Sequence, residues 1–256
     1  MQQTIINKLA AIELEHKIKI LFACESGSRG WEFPSPDSDY DVRFIYVRPY
    51  QYYLSVLDRT YDLNFPINGE LDMYGWDIRK VLQLIKKSNT TPFEWLQSPI
   101  VYRQEAGFRN DLWALCQSYF GQRSNIHHYL GIAQGAMDTF TNDSEIKIKK
   151  LFYVLRPLLA AKWCLEKQSI APMTIGPLMT LLPDHLKTQV ADLIALKANA
   201  VESFIININA DLKMYIDTEF ARINDASVHL KKDNFDADKL DEFFVTTITR
   251  YDHKGH

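Results

Sequence analysis

Apolar residues at Ile5, Ile6, Leu9 and Ile12 recur at helical spacing, which predicts a first helix over 3–16. The stretch "KIKILFACES" (17–26) is apolar and bounded by small polar residues, so it reads as a strand. A second strand follows in "DYDVRFIYV" (39–47), with Val42, Phe44 and Tyr46 on one face and Asp39, Asp41 and Arg43 on the other. "RPYQYYLSVL" (48–57) has the pattern of a short helix, and Asn68-Gly69 marks a turn between the alternating runs of a hairpin over 60–76. Asp77 then stands where a side-chain cap would start the amphipathic helix "DIRKVLQLIKKSN", whose basic end suits the helix dipole.

Near residue 104 the pattern changes. Helical periodicity dominates from there, over roughly 105–119, 122–140, 143–168, 174–182, 184–206, 208–225 and 236–248, punctuated by Pro157, Pro172, Pro177 and Pro183. The expected plan is α+β: a small mixed-sheet unit with flanking helices over 1–103, then an all-helical unit over 104–256. A cleft between two such units is a favoured place for a ligand.

Composition changes this picture little. The 256 residues are 46% hydrophobic and 24% charged, ordinary for a globular chain with a real core. A net charge of -3 gives no global attraction for nucleic acid. Cys24, Cys116 and Cys164 are few and far apart, which argues for a reducing compartment and against a disulfide framework or zinc site. The N-terminus lacks the layout of a signal peptide, and no uncharged apolar run reaches membrane-spanning length, so a cytoplasmic protein with no membrane partner is expected.

Chemistry concentrates in "SGSRGWEFPSPDSDYDV" (26–42). Asp39 and Asp41 share a strand face, their Cα atoms about 7 Å apart, and two bare carboxylates there repel. A hard divalent cation such as Mg²⁺, bound through one or two carboxylates and substrate phosphates, removes that cost. Upstream, Gly27 and Ser28 follow a strand where the chain turns, and backbone N–H groups at such a turn cradle phosphate. Each feature has a plainer reading: a solvated strand end for the aspartates, a helix cap for Ser28, solvent for Arg29.

The Gly-Ser pair followed a dozen residues later by Asp-x-Asp resembles the polymerase-beta-type nucleotidyltransferases. Three blocks, "ACESGSRGWEFPSPDSDYDVRFIYV", "ELDMYGWDIRKVLQLIKKSNTTPFEWLQSPIVY" and "KKLFYVLRPLLAAKW", are similar in order to the predicted nucleotidyltransferases described as RNA-repair-pathway polymerase-beta-like proteins. The resemblance implies that Gly27 and Ser28 bind phosphate and that Asp39 and Asp41 bind Mg²⁺ or Mn²⁺; Arg29, beside the pair, is a further phosphate candidate. It also implies a third carboxylate from a nearby strand, for which Asp72 is the first choice and Glu70 the second, Asp77 having its own role as a cap. Lys149, Tyr153 and Arg156 fall at i, i+4 and i+7 on one helix face with Lys150 adjacent, and the resemblance makes this stripe a candidate grip on the triphosphate, base or sugar. A solvated helix face is the plainer reading.

These readings together point to a metal-dependent, ATP- or other NTP-using transferase that moves a nucleoside monophosphate to a hydroxyl and releases pyrophosphate. The acceptor stays open between an RNA 3′ end, as in RNA repair, a small molecule and a protein hydroxyl. From a different class, a nucleotide-binding regulatory or partner protein without catalysis would also carry the phosphate pair. His127 and His128 are adjacent on a helix and therefore diverge, the aromatics Phe93, Trp95, Trp113 and Trp163 read as core, and the tail "RYDHKGH" reads as frayed.

Overall fold

The structure is a computed structural model that describes residues 1–139 and 145–252. Helix α1 (Gln2–His16) leads into β1 (Lys19–Glu25), a single turn α2 (Gly27–Gly30) and β2 (Tyr40–Val47). A short α3 (Tyr50–Tyr53), the hairpin strands β3 (Asp62–Asn64) and β4 (Leu71–Asp77), α4 (Ile78–Lys86), α5 (Thr90–Gln97) and β5 (Val101–Gln104) complete the sheet region. The remainder runs α6 (Phe108–Gln117), α7 (Gln122–Met137), β6 (Glu145–Lys147), α8 (Ile148–Lys167), α9 (Ile175–Met179) and α10 (Asp184–Lys197). It ends in β7 (Ile205–Asn207), α11 (Ala210–Val228) and α12 (Asp238–Asp252). The fold is α+β with a mixed sheet, as the sequence predicts.

The five-stranded sheet has the order β3-β4-β2-β1-β5. Only β2 and β4 pair in parallel; the other neighbours are antiparallel. Alternation along β2 sorts the two faces as expected. Val42, Phe44 and Tyr46 bury with Leu71 and Met73 against Ile5, Leu9 and Ile12 of α1. On the opposite face Ile45 and Val47 pack with Ile78, Val81 and Ile85 of α4, and Trp76 stacks on the buried Trp95 of α5 at 4.3 Å between ring centroids. Asp41 and Arg43 precede Ile45 on this second face, where the apolar run gives way to charge.

The cores do not divide at residue 104. Leu112 and Cys116 of α6 and Leu240, Ile248 and Tyr251 of α12 join the sheet's second face, and Tyr50 N donates to Asp252 Oδ1 at 2.8 Å. A separate core holds α7, α8, α10 and α11, with α8 buried nearly all round, as a helix apolar on every side must be. Phe33 from the loop between α2 and β2 enters this core and stacks on Phe152 at 5.0 Å, fastening the loop to the bundle.

Other departures from the predicted elements have local causes. The apolar run at 204–206 is not helix: α10 stops at Lys197, and Ile205–Asn207 pairs with Glu145–Lys147 as a two-stranded ribbon. The predicted helix 143–168 therefore begins at Ile148, and its first two residues lie outside the described residues, as do 253–256 of the tail. Helix 48–57 shrinks to one turn, and β5, half-buried and without alternation, had no sequence signal. Asp77 caps α4, its Oδ1 accepting from Arg79 N at 2.8 Å while Oδ2 accepts from Tyr53 Oη at 2.8 Å. Cys24, Cys116 and Cys164 are buried free thiols, and among the described residues no helix is long and apolar enough to cross a membrane.

Candidate active site

Glycine is required where β1 ends. Gly27 has φ +58°, a left-handed value costly for other residues, and a Cβ built on it would overlap Asp41 Oδ2 and stand 2.9 Å from Asp41 Cγ. The turn therefore lies directly on the second aspartate. Ser26 N donates to Asp41 O at 2.8 Å, and Asp41 N donates to Glu25 Oε1 at 2.7 Å. Glu25 is wholly buried, its other oxygen bonded by Tyr102 Oη, and burial raises its carboxyl pKa despite those bonds.

The parallel pairing of β2 and β4 sets Asp41 opposite Asp72 in register. Both carboxylates converge on Arg43: its Nη2 lies 2.7 Å from Asp41 Oδ1 and 2.7 Å from Asp72 Oδ2, while Nη1 donates to Asp72 O at 3.0 Å. The guanidinium, held over the Tyr74 ring at 4.1 Å, is the cation that keeps two like charges side by side. Burial still raises the Asp41 pKa, Arg43 opposing and Asp72 and Asp39 reinforcing. Asp39 is exposed at the strand's entrance and Glu70 is exposed in the turn just before β4, where its carbonyl accepts from Tyr40 N at 2.7 Å. Geometry thus joins Asp72 to Asp41.

The other predicted residues separate. Arg29 closes the 26–40 loop on itself, Nη2 donating to Ser38 O at 2.7 Å and Nε to Asp39 O at 3.2 Å, with the guanidinium 4.0 Å from the Tyr40 ring centroid. Ser28 is buried within α2, not capping it, and its hydroxyl donates to Ser38 Oγ at 3.0 Å. Lys149 pairs with Glu202, and its charge opposes the burial that raises the Asp41 pKa, while the charge of Asp41 adds to the burial that raises Tyr153. Lys150 turns outward, to Thr139 O at 2.9 Å. Arg156 lies off the expected exposed stripe. Its side chain is 2% exposed, Nη2 meets Glu94 Oε1 at 2.8 Å, Nε meets Met173 O at 3.0 Å, and the guanidinium lies 4.6 Å from the Trp31 ring centroid. Those contacts tie α8 to α5 and to the loop before α9.

The donors suit a hard divalent ion in kind, since carboxylate oxygens already converge on a cation there. Among the described residues, however, no three acidic, His or Cys side chains are gathered into a ready shell, because Arg43 stands between two of them. Arg43 is readable as sharing the aspartates' face; Glu25, Ser38 and Glu202 carry no such pattern.

Sequence comparison decides the relationship. The model of the RNA repair pathway DNA polymerase beta family matches residues 1–246. The chain belongs to that family. Within this polymerase-beta-like nucleotidyltransferase family, the Gly27 turn, Asp41 and Asp72 lie inside the matched span. An uncharacterized protein of Bacillus subtilis (strain 168), YcgL, is 38% identical over 252 residues, covering 97% of this chain and 96% of its own. A solved nucleotidyltransferase-like protein from Exiguobacterium sibiricum 255-15 aligns over 87% of this chain and 74% of its own at 10% identity, with a TM-score of 0.32.

Proposed function

We propose that the protein transfers a nucleoside monophosphate from a nucleoside triphosphate to a hydroxyl acceptor and releases pyrophosphate. The observation that carries this reading is the placement of Asp41 and Asp72 in register on adjacent parallel strands, directly under the Gly27 turn. Family membership supports nucleotidyl transfer as the reaction type.

Asp39, Asp41 and Asp72 would hold Mg²⁺ or Mn²⁺, which supplies charge stabilisation for the attacking and leaving oxygens. The left-handed Gly27 brings backbone within reach of phosphate oxygens, where a side chain would displace Asp41. Arg43 keeps Asp72 beside Asp41, and Asp72 takes the proton of the acceptor hydroxyl as general base. Lys149 and Tyr153 close the site from α8, with the Lys149 ammonium on the triphosphate. A Trp31–Tyr153 edge contact at 5.3 Å fixes the tyrosine that flanks the base or sugar. The family's description makes an RNA 3′ end the first acceptor to test, with protein and metabolite hydroxyls next.

The test incubates the protein with each α-labelled nucleoside triphosphate and Mg²⁺ or Mn²⁺. Total RNA, the protein itself and a metabolite pool are offered in parallel, and both label transfer and pyrophosphate are measured. D41N should fold normally and lose transfer by at least ~10²-fold, as expected when an electrostatic contact to the transition state is removed. Wild-type transfer by D41N would overturn the mechanism.

A further inference from the structure

Between α10 and β7 the chain crosses 198–204, where Val201 and Phe204 are exposed while Glu202 turns inward. Glu202 N donates to Asp37 Oδ1 at 2.9 Å, which seats this loop on the 34–38 segment before β2. The Glu202 carboxylate then receives Ser38 Oγ on Oε1 at 2.8 Å and Lys149 Nζ on Oε2. Ser38 Oγ accepts in turn from Ser28 Oγ at 3.0 Å and Ser35 N at 2.9 Å, and the wholly buried Lys197 Nζ donates to Ser35 Oγ at 2.9 Å.

The Ser28 and Ser38 hydroxyls donate in series toward the Glu202 carboxylate, while Ser35 links Lys197 to Ser38 through its Oγ and its N–H. The donors are hydroxyls, a backbone N–H and two ammoniums, which is how proteins surround phosphate oxygens. The two ammoniums are served unequally: Lys149 is paired with Glu202, whereas Lys197 hydrogen-bonds only to a hydroxyl among the described residues, with Asp37 and Asp39 acting on the pair from a distance. A buried ammonium whose direct partner is a hydroxyl is costly, and burial duly lowers the Lys197 pKa. Burial also works against Lys149, but its hydrogen bond to Glu202, together with the nearby Tyr153, Glu202 and Asp39, raises its pKa overall. A terminal phosphate offers more acceptor oxygens and more negative charge than the one carboxylate that now meets Lys149 and Ser38.

We propose that Glu202 occupies the subsite for the terminal phosphate of the nucleotide, and that the 198–204 loop withdraws when a triphosphate enters. This rests on the triphosphate reading given above, since Ser28 and Lys149 connect the subsite to the Gly27 turn and to Asp41. It adds Ser38 and Lys197 to the phosphate-binding groups and makes Glu202 an internal competitor.

The test uses inorganic tripolyphosphate without divalent metal, titrated calorimetrically, so that neither the acceptor nor the metal site enters. A loop closed in about nine molecules of ten leaves about one tenth competent, so E202Q should bind ~10-fold more tightly than wild type. E202A should shift affinity in the same direction, and K149M or K197M in the E202Q background should weaken binding by about the same factor or more. Equal or weaker affinity in both E202Q and E202A, with melting curves like wild type, overturns the proposal. Tighter binding by E202Q without nucleotidyl transfer to any acceptor keeps the subsite and sinks the enzyme reading. Transfer by wild type with unaltered tripolyphosphate affinity in both variants does the reverse.

Discussion

Arg43→Met removes the one cation placed between Asp41 and Asp72 without changing the length of the side chain greatly. Both carboxylates lie 2.7 Å from the same guanidinium nitrogen and are 24% and 29% exposed. Left facing each other about 5 Å apart, two unit charges repel by about 3 kcal/mol at an effective dielectric of ~20. The lost charge-assisted hydrogen bonds add to this and partial solvent access subtracts, so a loss of about 2–4 kcal/mol is expected. For a chain of this size each kcal/mol lowers Tm by about 2–4 °C, which makes the shift ~5–15 °C. Urea and thermal unfolding at low ionic strength and neutral pH measure it. Millimolar Mn²⁺ should then recover more of the melting temperature in R43M than in wild type, because the ion restores the missing positive charge between the carboxylates. A loss below about 0.5 kcal/mol, or Mn²⁺ recovery no greater than in wild type, refutes the view that Arg43 holds a cation-requiring pair together.

Gly27→Ala should lower stability by about 1–3 kcal/mol through the left-handed backbone and displace the Asp41 carboxylate. Urea midpoints measure the first effect and a loss of nucleotidyl transfer the second; an Ala variant with normal transfer would show the close approach to be incidental. Asp77→Asn tests a pH effect. Burial raises the Asp77 pKa from 3.8 to about 6, so its contribution is fully present below pH ~4 and is lost as pH rises through 6, costing about 3 kcal/mol once ionised. Asn keeps the cap, so the D77N stability profile should be flatter than wild type between pH 4 and 7; parallel profiles would refute the assignment.

What the sequence revealed and what it hid follow one rule: local periodicity was visible and long-range pairing was not. Asp39, Asp41 and Arg43 announce a shared face because strands alternate, and Asp77 announces a cap because it directly precedes an amphipathic run. That Arg43 would meet Asp72 depends on β4 lying parallel to β2, a choice made by the whole sheet. Arg156 has the right spacing for a stripe with Lys149, yet seven residues further along α8 the helix is buried all round, and its partner Glu94 sits 62 residues earlier. Glu202 lay inside what read as one long helix over 184–206. Its placement follows from α10 ending at Lys197 and from a ribbon partner, Glu145–Lys147, that precedes α8 in the chain.

The packing of α12 onto the sheet also bears on how the chain is made. The strands and α4 emerge from the ribosome early, but Leu240, Ile248 and Tyr251 come after 130 or more further residues have been added. At ~5–20 residues per second, the apolar face around Ile78, Val81 and Ile85 waits on the order of ten seconds for its cover. During that interval the nascent sheet is a client for chaperones, and Tyr50 has no Asp252 to meet. Completion of the sheet's core is thereby tied to the synthesis of α12, so a polypeptide stalled before residue 238 would display Asp41 and Asp72 on an unfinished core.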